Sequence, residues 1–130
     1  MSVGCAAYDG SMSASAEPTI FSRIVARELP ATIYAETESV IAFADIAPKA
    51  PVHILVVPKT EEYSNVVELA AGDPGLLAEV VEMANSLASE HADGDFRLIF
   101  NTGAGAGQTV FHVHAHVLAG ALEEGSLGTF

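Results

Sequence analysis

Hydrophobic and polar positions along the chain change period several times, and each change marks an expected element. In "TIFSRIVARELP" (19–30), Ile20, Phe21, Ile24 and Val25 fall on one helical face, and Pro30 closes the segment. "ATIYAE" (31–36) and "VIAFAD" (40–45) are strand-like, with a polar turn at 37–39 between them. The second run ends at Asp45, and the two prolines of "IAPKAP" mark a loop after it. "VHILVVP" (52–58) is an almost unbroken apolar run rich in β-branched residues, the pattern of a central strand, with His53 as its one polar member. Residues 60–71 suggest a short helix or turn.

"DPGLLAEVVEMANSLASEHADG" (73–94) carries the strongest helical signal. Asp73 suits the N-cap, Pro74 the first turn, and Gly94 the position after the end. Leu76, Leu77, Val80, Met83, Ala84, Leu87 and Ala88 form its expected buried stripe. "DFRLIFN" (95–101) reads as a strand, "TGAGAGQ" (102–108) as a flexible glycine loop, and "TVFHVHAHVLAG" (109–120) as the last strand. The order is helix, three strands, long helix, two strands, with no repeat and no internal linker. The last connection is too short for a parallel crossover, so the pattern predicts an α+β domain with an antiparallel sheet.

Composition narrows the functional classes. With 130 residues, half of them hydrophobic and 17% charged, the chain fits one globular domain. Seventeen acidic residues against five basic ones leave a formal charge of −12, which repels nucleic-acid backbones and anionic membranes. An anionic substrate would need local donors to overcome that field. The single cysteine, Cys5, has no internal disulfide partner and fits a reducing compartment, so a cytoplasmic location is expected. No stretch is long and apolar enough to span a bilayer. Residues 1–17 lack the basic start and apolar run of a signal peptide; they read as an extension outside the core, with Met12 as a candidate alternative start.

The chemistry concentrates near the end of the chain. Strand side chains alternate faces, so His112, His114 and His116 are expected on one face, with Val113, Ala115 and Val117 on the other. The bland reading is a solvated strand face that tolerates imidazoles. Zinc is a second reading: alternate histidines supply two or three ligands and His53 a further one, although no Cys, Asp or Glu stands close by in sequence. Nucleophilic catalysis is a third, one imidazole attacking phosphorus while its neighbours offset charge. The glycine loop upstream favours phosphate, because bare backbone amides can approach its oxygens. Spacing by itself leaves zinc and catalysis almost level.

"HVHAHVL" (112–118) matches the histidine triad pattern, His-φ-His-φ-His-φ-φ with φ apolar, apart from the small Ala115. "TIFSRIVARELPA", "IAFADIAPKAPVHILVVPK" and "NTGAGAGQTVFHVHAHVLAG" together resemble the Hint branch of the histidine triad (HIT) family, the purine nucleoside phosphoramidases, over residues 19 to about 120. The resemblance assigns 18–130 to a HIT domain, a five-stranded antiparallel sheet with two helices, continued across a homodimer. It implies hydrolysis of purine nucleoside 5′-phosphoramidates of the AMP-amine type through a nucleotidyl-histidine intermediate, with no metal or other cofactor. His114 would be the nucleophile, His112 would orient it through its backbone carbonyl, and His116 and His53 would line the phosphate pocket, His116 assisting the leaving group.

By the same resemblance Asp45, otherwise a turn cap, would bind the ribose hydroxyls. Phe21, Ile24, Phe43 and Ile46, otherwise core residues, would line the base pocket. Asn101, Gly107, Gln108 and Thr109 would meet the phosphate, Thr109 standing where relatives commonly carry Ser. His91, at a helix end, has no assigned role. Two segments depart from the family. "TEEYSN" after Lys59 lacks the usual further histidine, and the tail "ALEEGSLGTF" lacks the Trp-containing ending that reaches a partner's site. Both bear on the leaving group. The alternatives are a non-catalytic nucleotide- or zinc-binding HIT protein and a dinucleoside polyphosphate hydrolase.

Overall fold

The structure, a computed structural model, describes residues 19–123. The expected extension with Cys5 and Met12, and the end of the tail, lie outside the described residues. In chain order the elements are α1 (Ile20–Val25), β1 (Ile33–Glu36), β2 (Val40–Ala44), β3 (Val52–Pro58), α2 (Val66–Gly72), α3 (Pro74–Ala92), β4 (Arg97–Ile99) and β5 (Ala115–Ala119). The strands form one five-stranded sheet, ordered β1-β2-β3-β5-β4, in which every neighbouring pair is antiparallel.

The unbroken apolar run of β3 follows from its place. Leu55 and Val57 pack with Ile41 and Phe43 of β2 and with Phe21 and Ile24 of α1 on one face. Ile54 and Val56 join Val40, Ala42, Val113, Ala115 and Val117 beneath α2 and α3 on the other. A strand covered on both sides has no position for a solvated residue. The α3 stripe is buried at Leu76, Val80, Ala84, Leu87 and Ala88. Leu77 and Met83 sit half-buried at its border, packed against the same cluster.

Caps set the helix ends. Asn65 starts α2 by accepting Glu68 N–H, while the Glu68 carboxylate reaches back to Ser64 N–H, a reciprocal cap that settles 60–71 as loop followed by helix. Asp73 ends α2 and caps α3, accepting Leu76 N–H at 3.0 Å with Pro74 in the first turn. The two expected helices are thus α1 and α3, with the short α2 between β3 and α3.

The last strand is shorter than the expected 109–120. Val113 N–H donates to Tyr63 O at 3.0 Å, so before Ala115 the chain is tied to the 60s loop and not to a neighbouring strand. Pro58, which ends β3, has no N–H to continue the ladder. At the other end Gly120 adopts φ +105°, and a Cβ there would lie 2.7 Å from Pro51 Cβ. Gly120→Ala is therefore expected to destabilise the fold by about 2 kcal/mol, through backbone strain and the clash together. Urea unfolding with an unchanged m-value and a lowered midpoint is the expected result.

Candidate active site

The helix on the histidine side is short, so the sheet there carries polar chemistry that the α3 side could not hold. Register brings His116 opposite Leu55 and His53 opposite Leu118, making the two imidazoles diagonal neighbours on adjacent strands. His53 Nε2 lies 3.0 Å from His116 Nδ1. The His114 and His116 ring centroids are 5.1 Å apart, and the Phe21 ring meets His114 edge-on at 4.8 Å. The expected grouping of His53, His114 and His116 is present, and His112 lies just behind them, 1% exposed.

Hydrogen-bond partners assign the proton on each ring. His114 Nδ1 lies 2.8 Å from the His112 carbonyl, which only accepts, so Nδ1 carries the proton and Nε2 the lone pair. His112 Nε2 lies 2.7 Å from the Pro58 carbonyl and is protonated for the same reason. His53 Nδ1 accepts Lys49 N–H at 3.0 Å, which puts its proton on Nε2, where it donates to His116 Nδ1. His116 then holds its proton on Nε2. Burial pushes all four imidazoles below the ordinary histidine value. His116 is taken to about 4 by burial and by the charges His114 and His53 would carry, with Asp45 opposing. All four rings are neutral near pH 7.

Asp45 closes the row. Its Oδ2 is 3.4 Å from His53 Nε2, its Oδ1 accepts Ala47 N–H at 2.8 Å, and its own N–H donates to His53 O. It is both the turn cap and a half-buried carboxylate at the site. Beside it a cavity of about 180 Å³ is bounded by His53, Tyr34, Pro48 and His91. A larger cavity of about 610 Å³ contains no imidazole and is lined mainly by acidic groups, Glu38, Glu62, Asp73 and Glu79 against Lys59, so it favours an anion less than the histidine side.

The residues expected around a nucleotide divide into three groups. Phe21, Ile24 and Phe43 are buried together under α1, next to His114. Ile46 is not core: it sits 89% exposed in the turn that Asp45 caps. In the glycine loop, Gly103 and Gly107 take φ +92° and +94°, on either side of a 3-10 turn at Ala104–Ala106. Gln108 is 3% exposed and spent internally, accepting Gly103 N–H and donating to Ser64 O and Val110 O, so its side chain builds the loop. Thr109 is exposed beside it, and Asn101 is half-buried just after β4, where the glycine loop begins.

Several contacts carried no sequence signal, because the carbonyls of Pro58 and Tyr63 and the amide of Lys49 are backbone groups. Thr19 was also missed. The sequence pattern gave it no role, yet its Oγ1 caps α1 and lies 3.2 Å from His112 Nδ1.

Asp45, His53 and His116 offer three ligand atoms within 4.8 Å of one another, the best metal cluster among the described residues. The donor set fits poorly. With Lys49 N–H occupying His53 Nδ1, a metal on Nε2 would need the ring stripped of its last proton.

An antiparallel α+β sheet with neutral imidazoles on one face beside a glycine loop defines the class. The chain belongs to the HIT domain family, whose model matches residues 26–122. It is 39% identical over 107 residues to the purine nucleoside phosphoramidase of Escherichia coli, covering 81% of this chain and 89% of that protein. It is 35% identical over 105 residues to a 14 kDa zinc-binding protein of Zea mays, covering 79% and 82%. Among solved structures, a HIT family hydrolase from Clostridium thermocellum superimposes with a TM-score of 0.76 at 46% identity, over 81% of this chain and 92% of that one.

The depressed imidazoles make stability depend on pH. Between about 4 and the ordinary value of 6.5 for His116, the unfolded chain binds more protons than the folded one, so stability is full above that window and lost as pH falls through it. Urea midpoints should hold near pH 7 and decline toward pH 4, and His116→Gln should flatten the decline. An equal slope in the variant would exclude His116 as a source.

Proposed function

We propose that this chain is a Hint-type hydrolase that cleaves purine nucleoside 5′-phosphoramidates. The observation that carries the reading is the bond from His114 Nδ1–H to the His112 carbonyl. It leaves an unprotonated Nε2 on a neutral ring at a wall shared by Phe21 and His116. The phosphoramidase and hydrolase names among the relatives support the same class.

In the proposed reaction His114 Nε2 attacks phosphorus, the P–N bond breaks, and AMP remains on the ring. A phosphoryl anion beside His116 favours its protonated form, reversing the effect of burial. The added proton enters Nδ1, which in the resting site accepts from His53, and the His53 Nε2–H turns to Asp45 Oδ2, 3.4 Å away. His116 then gives its Nε2 proton to the departing amine and takes one back from the water that cleaves the intermediate. Phe21, Ile24 and Phe43 form the wall for the base, with Ile46 at its rim, and Asp45 accepts from the ribose hydroxyls. Asn101, Thr109 and the Gly107 amide face the phosphate, supplying the local donors that a chain of charge −12 needs. No metal takes part. Two copies pair along a sheet edge to form a homodimer that acts in the cytoplasm. Among the described residues, no helix is long and apolar enough to cross a membrane.

The zinc-binding reading is favoured by one relative's name and opposed by the Lys49–His53 bond. Turnover of adenosine 5′-phosphoramidates beside dinucleoside polyphosphates, before and after chelation, separates the readings. The phosphoramidate is expected to be the better substrate, with no loss on chelation. His114→Ala is expected to reduce turnover about 10⁴-fold or more while retaining the fold and AMP binding. Near-normal turnover in that variant would contradict the assignment, and tightly held stoichiometric zinc without turnover would favour the binding protein.

A further inference from the structure

Thr19, the residue before α1, has a hydroxyl with three neighbours. Its Oγ1 accepts Ser22 N–H at 3.1 Å, the ordinary N-cap bond, and lies 3.1 Å from Ser22 Oγ and 3.2 Å from His112 Nδ1. His112 is 1% exposed, so its ring depends on protein partners. Its Nε2 proton is committed to the Pro58 carbonyl. Nδ1 is therefore a buried lone pair, and the group beside it is the Thr19 hydroxyl. One consistent arrangement follows: both lone pairs of Oγ1 accept from Ser22, N–H and O–H, and its single proton goes to His112.

We propose that Thr19 is a positioning residue of the triad: one hydroxyl caps α1 and donates to His112 Nδ1, fixing the ring whose carbonyl holds the His114 proton. The inference rests on the reading of His114 as nucleophile. It also joins two parts of the site. The helix that Thr19 starts carries Phe21 and Ile24, and the Phe21 ring lies 6.0 Å from His112 and 4.8 Å from His114. The placement of the base wall and of the attacking nitrogen thus share one oxygen atom.

Three substitutions separate the cap from the donor. Thr19→Ser keeps both. Thr19→Asp keeps a good cap but has no proton to give at neutral pH, so it draws one onto His112 Nδ1 instead. Thr19→Val removes both at nearly constant volume. Imidazole ¹⁵N spectra should show an unprotonated Nδ1 on His112 in the wild type and in Thr19→Ser, and a doubly protonated ring in Thr19→Asp. In turnover, Thr19→Ser should stay within about two-fold of wild type. Thr19→Asp should melt as wild type and keep its KM, while kcat falls roughly ten-fold through misplacement of His114.

The proposal is overturned if Thr19→Asp leaves the His112 resonances and kcat unchanged, since Thr19 would then be a cap alone. Should that variant not fold, Thr19→Val decides: its Nδ1 resonance shifts on losing a donor, or the bond does not exist. If the wild type turns over no phosphoramidate, the functional reading fails, and the ¹⁵N spectra still judge the Thr19–His112 bond.

Discussion

A single hydrogen bond, from His114 Nδ1 to the backbone oxygen two residues earlier, sets what this fold can do. A histidine in water exchanges its proton between two nitrogens and offers either as a base. Held at 2.8 Å by a carbonyl that only accepts, His114 has one tautomer, with its lone pair on Nε2. A carbonyl two residues away serves this purpose only if the backbone there is held still. The surrounding bonds supply that: Val113 N–H to Tyr63 O, and His112 Nε2–H to Pro58 O.

The other imidazoles are held in the same way, by main-chain groups at strand ends. Lys49 N–H fixes His53, and His53 fixes His116. This matters because burial opposes charge on every ring, and these hydrogen bonds hold an imidazole without requiring it to be charged. Fixed neutral rings suit phosphoryl chemistry, where the nucleophile must keep its lone pair until the substrate brings its own charge. The same bonds oppose a metal, which needs the nitrogen that the network protonates.

Much of this could be read from the amino acids. The strand at Val52–Pro58 was bounded correctly because a strand buried on both faces leaves a continuous apolar run. The long helix was marked by Asp73, Pro74 and its stripe. The alternation of His112, His114 and His116 with Val113, Ala115 and Val117 placed the imidazoles opposite the α3 core. The start of β5 was less legible, since its first part pairs with a loop carbonyl at Tyr63, and such partners have no signature. Ile46 was misread as core because hydrophobicity does not distinguish a turn tip from a strand. Gln108 sits in the expected loop, but only its bonds to Gly103, Ser64 and Val110 show that its side chain is used up internally.

The central claim is that AMP is carried covalently on His114. The most direct measurement mixes the wild-type protein with an adenosine 5′-phosphoramidate, quenches it across the first turnover, and maps the adduct by mass spectrometry of peptides. The account predicts a transient adenylyl group on the peptide containing His114, localised to that residue, which decays as AMP is released. Full turnover with no adduct at any quench time, or an adduct on another side chain, would contradict it.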